Sequence, residues 1–463
     1  MKKILAILTL AIVAFLAVVG YVHFFDKSQS EKLLAQSTLS EPNKKIAKIF
    51  YDNGCQYCHS PNAEMPFYAN LPIADKIMQN DVSLGNRFFR LDKLLEGLND
   101  PSKLSEADLA KLEQVILNDQ MPIAKFFHIH WGSRPDEQEK KAIIDWIHQQ
   151  RKAFLPPNTQ GTDVTRLVQP IPDKLDTDPA KVALGDKLYH DGRLSADGTV
   201  QCHTCHQLKN GGVDGLDVSV GIDGQKGGIN APTVYNSVFN VLQFWDGRAV
   251  DLADQAAGPP LNPVEMGSKN WEEIIAKFEQ DEAFKQEFLS VFPEISKATL
   301  TEAIAEFEKT LITPNSAFDR YLKGEQNALN DAQKRGYDIF KSAKCDTCHT
   351  GTAMGGRSFE YLGLYDDYFK ARGTPLTDAD NGRFAHTKDP ADKHKFKVPT
   401  LRNIALTAPY MHDAGAKDLK EAVQIMARFQ SGKTLSEQET KDVVAFLEAL
   451  TGEYQGKLLT TEK

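Results

Sequence analysis

The chain has 463 residues, 41 % of them hydrophobic and 25 % charged, which is ordinary for a folded globular protein with room for about three domains. Its formal net charge of -9 argues against nucleic acid as a partner, because binding phosphates requires a basic face.

At the N-terminus, Lys2 and Lys3 precede an apolar run from Ile4 to Phe25, diluted only by Thr9, Gly20, Tyr21 and His23. That is close to the roughly 20 residues a helix needs to cross a bilayer. A cleaved signal peptide would have a shorter apolar core and a small-x-small site after it. Here the run ends on the bulky Tyr21-Val22-His23-Phe24-Phe25 and turns polar at Asp26-Lys27. The expectation is an uncleaved, single-pass anchor over residues 1–26 in the inner membrane. The two lysines keep its start in the cytoplasm, so the rest of the chain lies in the periplasm. Residues 27–40 are expected to be a polar tether.

The six cysteines define the class. All fall in C-x-x-C-H units: Cys55-Gln-Tyr-Cys58-His59, Cys202-His-Thr-Cys205-His206 and Cys345-Asp-Thr-Cys348-His349. Short-range disulfides are the competing reading in an exported protein. A histidine after every pair, with no cysteine left over, favours three covalently attached c-type haems, each with its histidine as proximal iron ligand.

A common plan surrounds each motif. Helix-like stretches lead in at Lys44–Gly54, Lys181–His190 and Ala332–Ala343, and periodic amphipathic segments close the modules at Asp136–Arg151, Leu300–Leu311 and Ser436–Leu450. Gly/Pro/Asn-rich stretches such as 211–232 and 258–267 read as ordered loops around the haems. Pro156 to Gly161 and Thr313 to Gly324 read as linkers. The fold class is therefore mainly α: three cytochrome c-like domains in tandem behind a transmembrane helix, at 41–155, 160–318 and 319–455.

A haem with two protein ligands passes electrons, whereas one with a vacant position can bind a small molecule. In the first module Met121, one loop before the closing helix, is the expected sixth ligand. His128 and His130 are rivals, and core packing is the alternative role for Met121. In the third module Met426 is favoured, with Met411 as its rival on spacing. The middle module has only Met266. Beside it lie Gln243-Phe244-Trp245-Asp246-Gly247-Arg248, Gln255 and Glu265, which resemble a distal catalytic pocket more than a carrier loop. Cleaving a peroxide needs a base that takes a proton from one oxygen and returns it to the other, and a glutamate can do both. An amide can orient the peroxide and an aromatic wall can exclude water. The competing reading makes Glu265 and Gln255 helix caps and loop ties.

From about Asp178 to Gly452 the chain closely resembles the bacterial di-haem cytochrome c peroxidases. The matching stretches are Leu184-Gly185 with Asp191 to Ser195, Gly211 to Gly215, Asn230 to Val234, Phe244 to Arg248, Asn262 to Met266, and Leu401-Arg402-Asn403 with Thr407 to Tyr410. With the anchor and the extra haem, the whole chain resembles the membrane-bound tri-haem subgroup, which includes quinol peroxidases. The resemblance implies that the haem on His206 is peroxidatic and the haem on His349 electron-transferring. It further implies Glu265 as acid/base, Gln255 as orienting amide, Phe244 in the distal wall, Trp245 on the path between these haems, and Met426 as an iron ligand. It also implies one calcium ion, held by the Asn230 side chain and the Thr407 and Pro409 carbonyls. Two departures stand out. Ile222 occupies the place of a histidine that blocks the peroxidatic iron in many relatives, and Met411 stands where phenylalanine is commoner beside His412.

The expected function is reduction of hydrogen peroxide with electrons from membrane quinol or a small cytochrome. The rivals are a multi-haem electron carrier and a di-haem enzyme that oxidises protein tryptophans. In the latter a tyrosine replaces the methionine ligand, and Met426 argues against it.

Overall fold

The computed structural model describes residues 2–100, 103–155 and 162–461, in two compact units that divide after Phe154. The expected linker at 156–161 lies outside the described residues. Helix dominates both units, and the strands among the described residues form two short antiparallel ribbons, Phe359–Tyr361 with Lys395–Lys397 and Glu453–Tyr454 with Lys457–Leu458.

In the first unit a single helix runs from Lys2 to Gln36, long and apolar enough to cross a membrane. Its polar end is not a tether. Asp26, Gln29 and Ser30 are buried, and Asp26 accepts a hydrogen bond from the Tyr57 hydroxyl at 2.7 Å. The helix Glu41–Asp52 buries Ile46, Ala47, Phe50 and Tyr51 on one face. The closing helix Glu137–Arg151 starts at a capping box between Asp136 and Glu139 and buries Ile143, Trp146 and Ile147 in the same core. Helices Leu91–Asn99 and Glu106–Leu117 add Leu91, Leu94, Leu109 and Leu112 to this core, while helix Pro72–Phe88 buries no residue.

The second unit holds two copies of one crossing. Helix Pro179–Tyr189 meets Lys297–Glu308 at Gly185, where an added Cβ would lie 1.9 Å from the Ala303 carbonyl oxygen. Helix Asp331–Ser342 meets Glu437–Glu448 at Gly336, where a Cβ would lie 1.9 Å from the Asp442 carbonyl oxygen. Only glycine lets the backbones approach this closely. The aromatic four residues on, Tyr189 or Phe340, is buried in both copies. In the first unit Ala47 and Tyr51 are spaced in the same way.

The stretch from Thr313 to Gly324, expected to be a linker, is a buried joint. The Thr313 hydroxyl accepts from Asn236 at 2.8 Å and from Asn403 at 2.9 Å, which ties the two haem modules together. Helix Ala317–Leu322 places Asp319 3.0 Å from Arg402, both side chains fully buried. Arg402 also donates to the carbonyls of Thr352 and Gln169, so its remaining donors are satisfied as a buried charge requires.

Candidate active site

Each C-x-x-C-H motif forms a tight turn, and none of its cysteines is joined in a disulfide. His59 Nδ1 lies 3.1 Å from both the Gly85 and the Phe89 carbonyl oxygens. His349 Nδ1 lies 3.2 Å from the Met354 carbonyl, whereas the buried His206 Nδ1 has no hydrogen-bond partner among the described residues. A backbone acceptor at Nδ1 fixes the tautomer that presents a bare Nε2 to iron. Burial pushes His349 down to about 4, so it is neutral and able to ligate. Burial likewise pushes Cys55, Cys202 and Cys345 up to about 12 and Cys58 to about 11. Such thiols are not reactive thiolates, and the donor set fits covalent haem.

Around the middle motif, a bridge between Gln243 and Ala249 holds the 244–248 loop, and Phe244 adopts a positive φ of 67°. The Arg248 guanidinium covers the Phe244 ring at 3.5 Å. Gln255 lies on the short helix Leu252–Ala256, capped by Asp251, and Gly258 just beyond it abuts both the Gln255 carbonyl and the Phe244 ring. Glu265 Oε1 accepts a hydrogen bond from Asn262 at 2.8 Å. Burial raises the Glu265 carboxyl above its ordinary range, opposed by the positive charge of Arg248 and by the Asn262 hydrogen bond. Its charge is felt at Cys205, so the carboxyl belongs to the surroundings of this haem motif.

Ile222 lies in the apolar core of this module. Its backbone N–H donates to the Glu265 carbonyl at 2.8 Å, and its side chain is buried in the core with Met266, Leu194 and Ala257. Met266 is likewise committed to that core. His203 packs against His190, with ring centroids 4.7 Å apart.

Trp245 donates from Nε1 to the Asn230 carbonyl at 2.9 Å, and its own carbonyl accepts from the Lys397 N–H. Its ring lies 6.5 Å from His412 and 6.3 Å from Phe396, both in the third module. The Asn230 amide donates to the carbonyls of Leu216 and Asp217, leaving Oδ1 for another partner, and the Asn230 N–H donates to the His412 carbonyl. This brings Asn230 to the segment that carries Thr407 and Pro409. Nearby, Asp380, His412 and Asp413 group closely enough to suggest a cation site. Arg372 pairs with Asp380 at 2.8 Å and Asp413 at 2.7 Å, so both carboxylates already have a cationic partner.

Met426 lies half-buried on the helix Leu419–Ser431, not in a loop. Met354 supplies its carbonyl to His349 and so lies on the proximal side, while Met411 packs with Tyr410 and Ala416. In the first unit Met121 is 39 % exposed. Both ring nitrogens of His130 are engaged, Nδ1 with Asp26 and Nε2 with Tyr68, which removes His130 as an iron ligand. His128 is exposed.

Three residues escaped sequence reasoning about this site. Arg248 and Asn262 lie inside stretches that were singled out, but only the fold turns them toward Phe244 and Glu265. Lys397 is buried behind Trp245 and pushed down to about 7; nothing in its polar sequence surroundings signals this.

Three family models match successive parts of the chain: a haem-binding domain at residues 14–149, di-haem cytochrome c peroxidase at 179–327 and cytochrome c at 333–451. Cytochrome c peroxidase Ccp of Escherichia coli (strain K12) is 48 % identical over 96 % of this chain and 95 % of its own length. The chain belongs to the di-haem cytochrome c peroxidase family. Members of this family bind haem c and are oxidoreductases that act on peroxide. Cytochrome c551 peroxidase of Nitrosomonas europaea is 43 % identical over 62 % of this chain and 84 % of its own length. Among solved structures, a MauG-like protein associated with microbial copper homeostasis superposes with a TM-score of 0.54 at 32 % identity, covering 65 % of this chain and 94 % of that one.

Proposed function

We propose that this protein is a membrane-anchored peroxidase that reduces hydrogen peroxide to water with quinol electrons relayed through three haems. The observation that carries the reading is Glu265, a buried carboxyl with a raised pKa, oriented by Asn262 beside the Cys202–His206 turn.

Haem c held by Cys202, Cys205 and His206 would supply the peroxide-binding iron and pass the two electrons the reaction consumes. The protein's own residues supply the rest. Glu265 takes a proton from one peroxide oxygen and delivers it to the other, so that two protons and two electrons convert each peroxide to two waters. Gln255 orients the peroxide, and Phe244, fixed under Arg248, excludes water. Ile222 and Met266, committed to the core, leave the distal side open. Trp245 lies on the route from the haem on Cys345, Cys348, His349 and Met426. The haem on Cys55, Cys58, His59 and Met121 is the first acceptor. The free Asn230 Oδ1 and the carbonyls of Thr407 and Pro409 are hard oxygen donors suited to one calcium ion, which would pin the two loops together.

The burial of Asp26 and Ser30 against the first unit favours an uncleaved helix, since cleavage near Phe25 would place Asp26, the partner of Tyr57 and His130, at a new charged chain end instead of inside a helix. The catalytic part then faces the periplasm. The carrier alternative requires a sixth protein ligand on the middle iron, and neither Ile222 nor Met266 is available for that. The test is steady-state peroxide consumption by the purified full-length protein, comparing a quinol with a reduced small cytochrome. Consumption with the quinol supports the reading; turnover with the cytochrome alone reassigns the donor.

A further inference from the structure

A buried acid–base chain that the peroxide chemistry does not use lies where the apolar helix turns polar. Asp26 Oδ1 accepts from the Tyr57 hydroxyl at 2.7 Å, Asp26 Oδ2 lies 2.7 Å from His130 Nδ1, and His130 Nε2 lies 2.5 Å from the Tyr68 hydroxyl. Asp26 is 7 % exposed and His130 1 %, whereas Tyr68 is half-buried and forms the open end. Stacking on Phe126 at 3.8 Å locks the His130 ring. At the inner end, Tyr57 lies between Cys55 and Cys58, so the chain abuts the first haem attachment turn. A buried carboxylate is costly unless paired, and an apolar contact could fasten a helix without one.

The surroundings indicate what reaches Tyr68. The first unit extends down the apolar helix: Phe67 packs on Tyr21 at 5.0 Å and Trp131 on Phe15 at 6.1 Å. Phe15 precedes Asp26 by about 16 Å of helix at the usual rise per residue. Phe67, Trp131, Leu71, Ile73 and Ile77 are all exposed, with Ile73 and Ile77 one turn apart on the helix Pro72–Phe88. An apolar surface of this kind, continuous with a membrane-crossing helix, lies in the acyl region of the bilayer. A molecule that meets Tyr68 there comes from the lipid.

We propose that membrane quinol is oxidised at the Tyr68–His130–Asp26 chain, with Tyr68 hydrogen-bonded to the quinol hydroxyl and His130 receiving its proton. The inference rests on the quinol donor proposed above and adds the place of oxidation. Each quinol loses two O–H protons and two electrons and becomes a quinone. The electrons pass singly to the haem c on His59 and onward to peroxide. Each proton moves through Tyr68 to His130, whose positive charge Asp26 balances until the proton leaves to periplasmic water.

The test uses full-length, haem-loaded protein in lipid nanodiscs, with every variant first shown to be fully reducible by dithionite. Anaerobic mixing with a short-chain quinol is followed at the haem absorbance, and the oxidised protein is titrated with the fluorescent quinol analogue heptyl-hydroxyquinoline N-oxide. Tyr68→Phe and His130→Gln are expected to slow haem reduction by the quinol by about 10²-fold, the lower end for loss of a general base. Tyr68→Phe should also weaken binding of the analogue by up to about tenfold, as loss of one hydrogen bond implies. Wild-type reduction rates and analogue affinity in both variants would overturn this site while leaving the quinol donor in place. A wild-type protein reduced by a small cytochrome but by no quinol would overturn both.

Discussion

Glu265 is subject to two opposing influences. Burial favours its neutral form, while Arg248 and the Asn262 amide favour its charged form. The base must be ionised to accept the first proton, so activity should fall on the acid side at a pH above the ordinary carboxylate value of 4.5. Asn262→Ala removes an influence that lowers the pKa, so the acid limb of kcat/KM for peroxide should move to higher pH. An unmoved or lowered limb would show that another group sets it. Glu265→Gln should keep all haem spectra and lose about 10²–10⁴ in turnover, the usual cost of removing a general acid/base. Near wild-type turnover would return Glu265 to a loop-tying role. The C-x-x-C-H motifs and the 244–248 and 262–266 stretches were legible because their chemistry is local. The coupling of Arg248 to Phe244, and of buried Lys397 to Trp245, depends on loops that only the folded chain brings together.

Among the elements, the loop carrying Ile222 decides whether the middle site is open. Its backbone bond to Glu265 and its buried side chain hold it against the core, and an isoleucine there offers no ligand to iron. The fully oxidised protein, with calcium present, should therefore show a high-spin ferric signal and react with peroxide without prior reduction. An oxidised protein that is wholly low-spin and inert until reduced would mean that another side chain closes the site. The helix crossings make a different prediction. Gly336→Ala places a Cβ against the Asp442 carbonyl and should cost about 1–3 kcal/mol in thermal or denaturant unfolding, as overpacking does. Unchanged stability would mean that the crossing can spread without penalty. All six motif-flanking helices were legible from the sequence, with ends displaced by at most three residues. The polar end of the first helix was not, because His130, which pairs with Asp26, lies 104 residues away.

At the scale of the molecule, the second and third modules behave as one body because polar residues join them. The Thr-Pro-Asn surroundings of Thr313 are those of a linker, yet its partners Asn236 and Asn403 come from 77 and 90 residues away. Sequence shows composition but not such pairing. The tandem order of haem modules behind an apolar helix was legible, since each module repeats the same helix, motif and closing helix. We propose that this assembly carries electrons from a membrane donor to peroxide at the Glu265 site. This is tested most directly by anaerobic steady-state turnover of the purified full-length protein in lipid, with quinol oxidation and peroxide loss recorded together. One quinol should be oxidised per peroxide consumed, with Glu265→Gln lowering both in parallel. Peroxide left intact in the presence of quinol, reduced small cytochrome and fully reduced haems would contradict it.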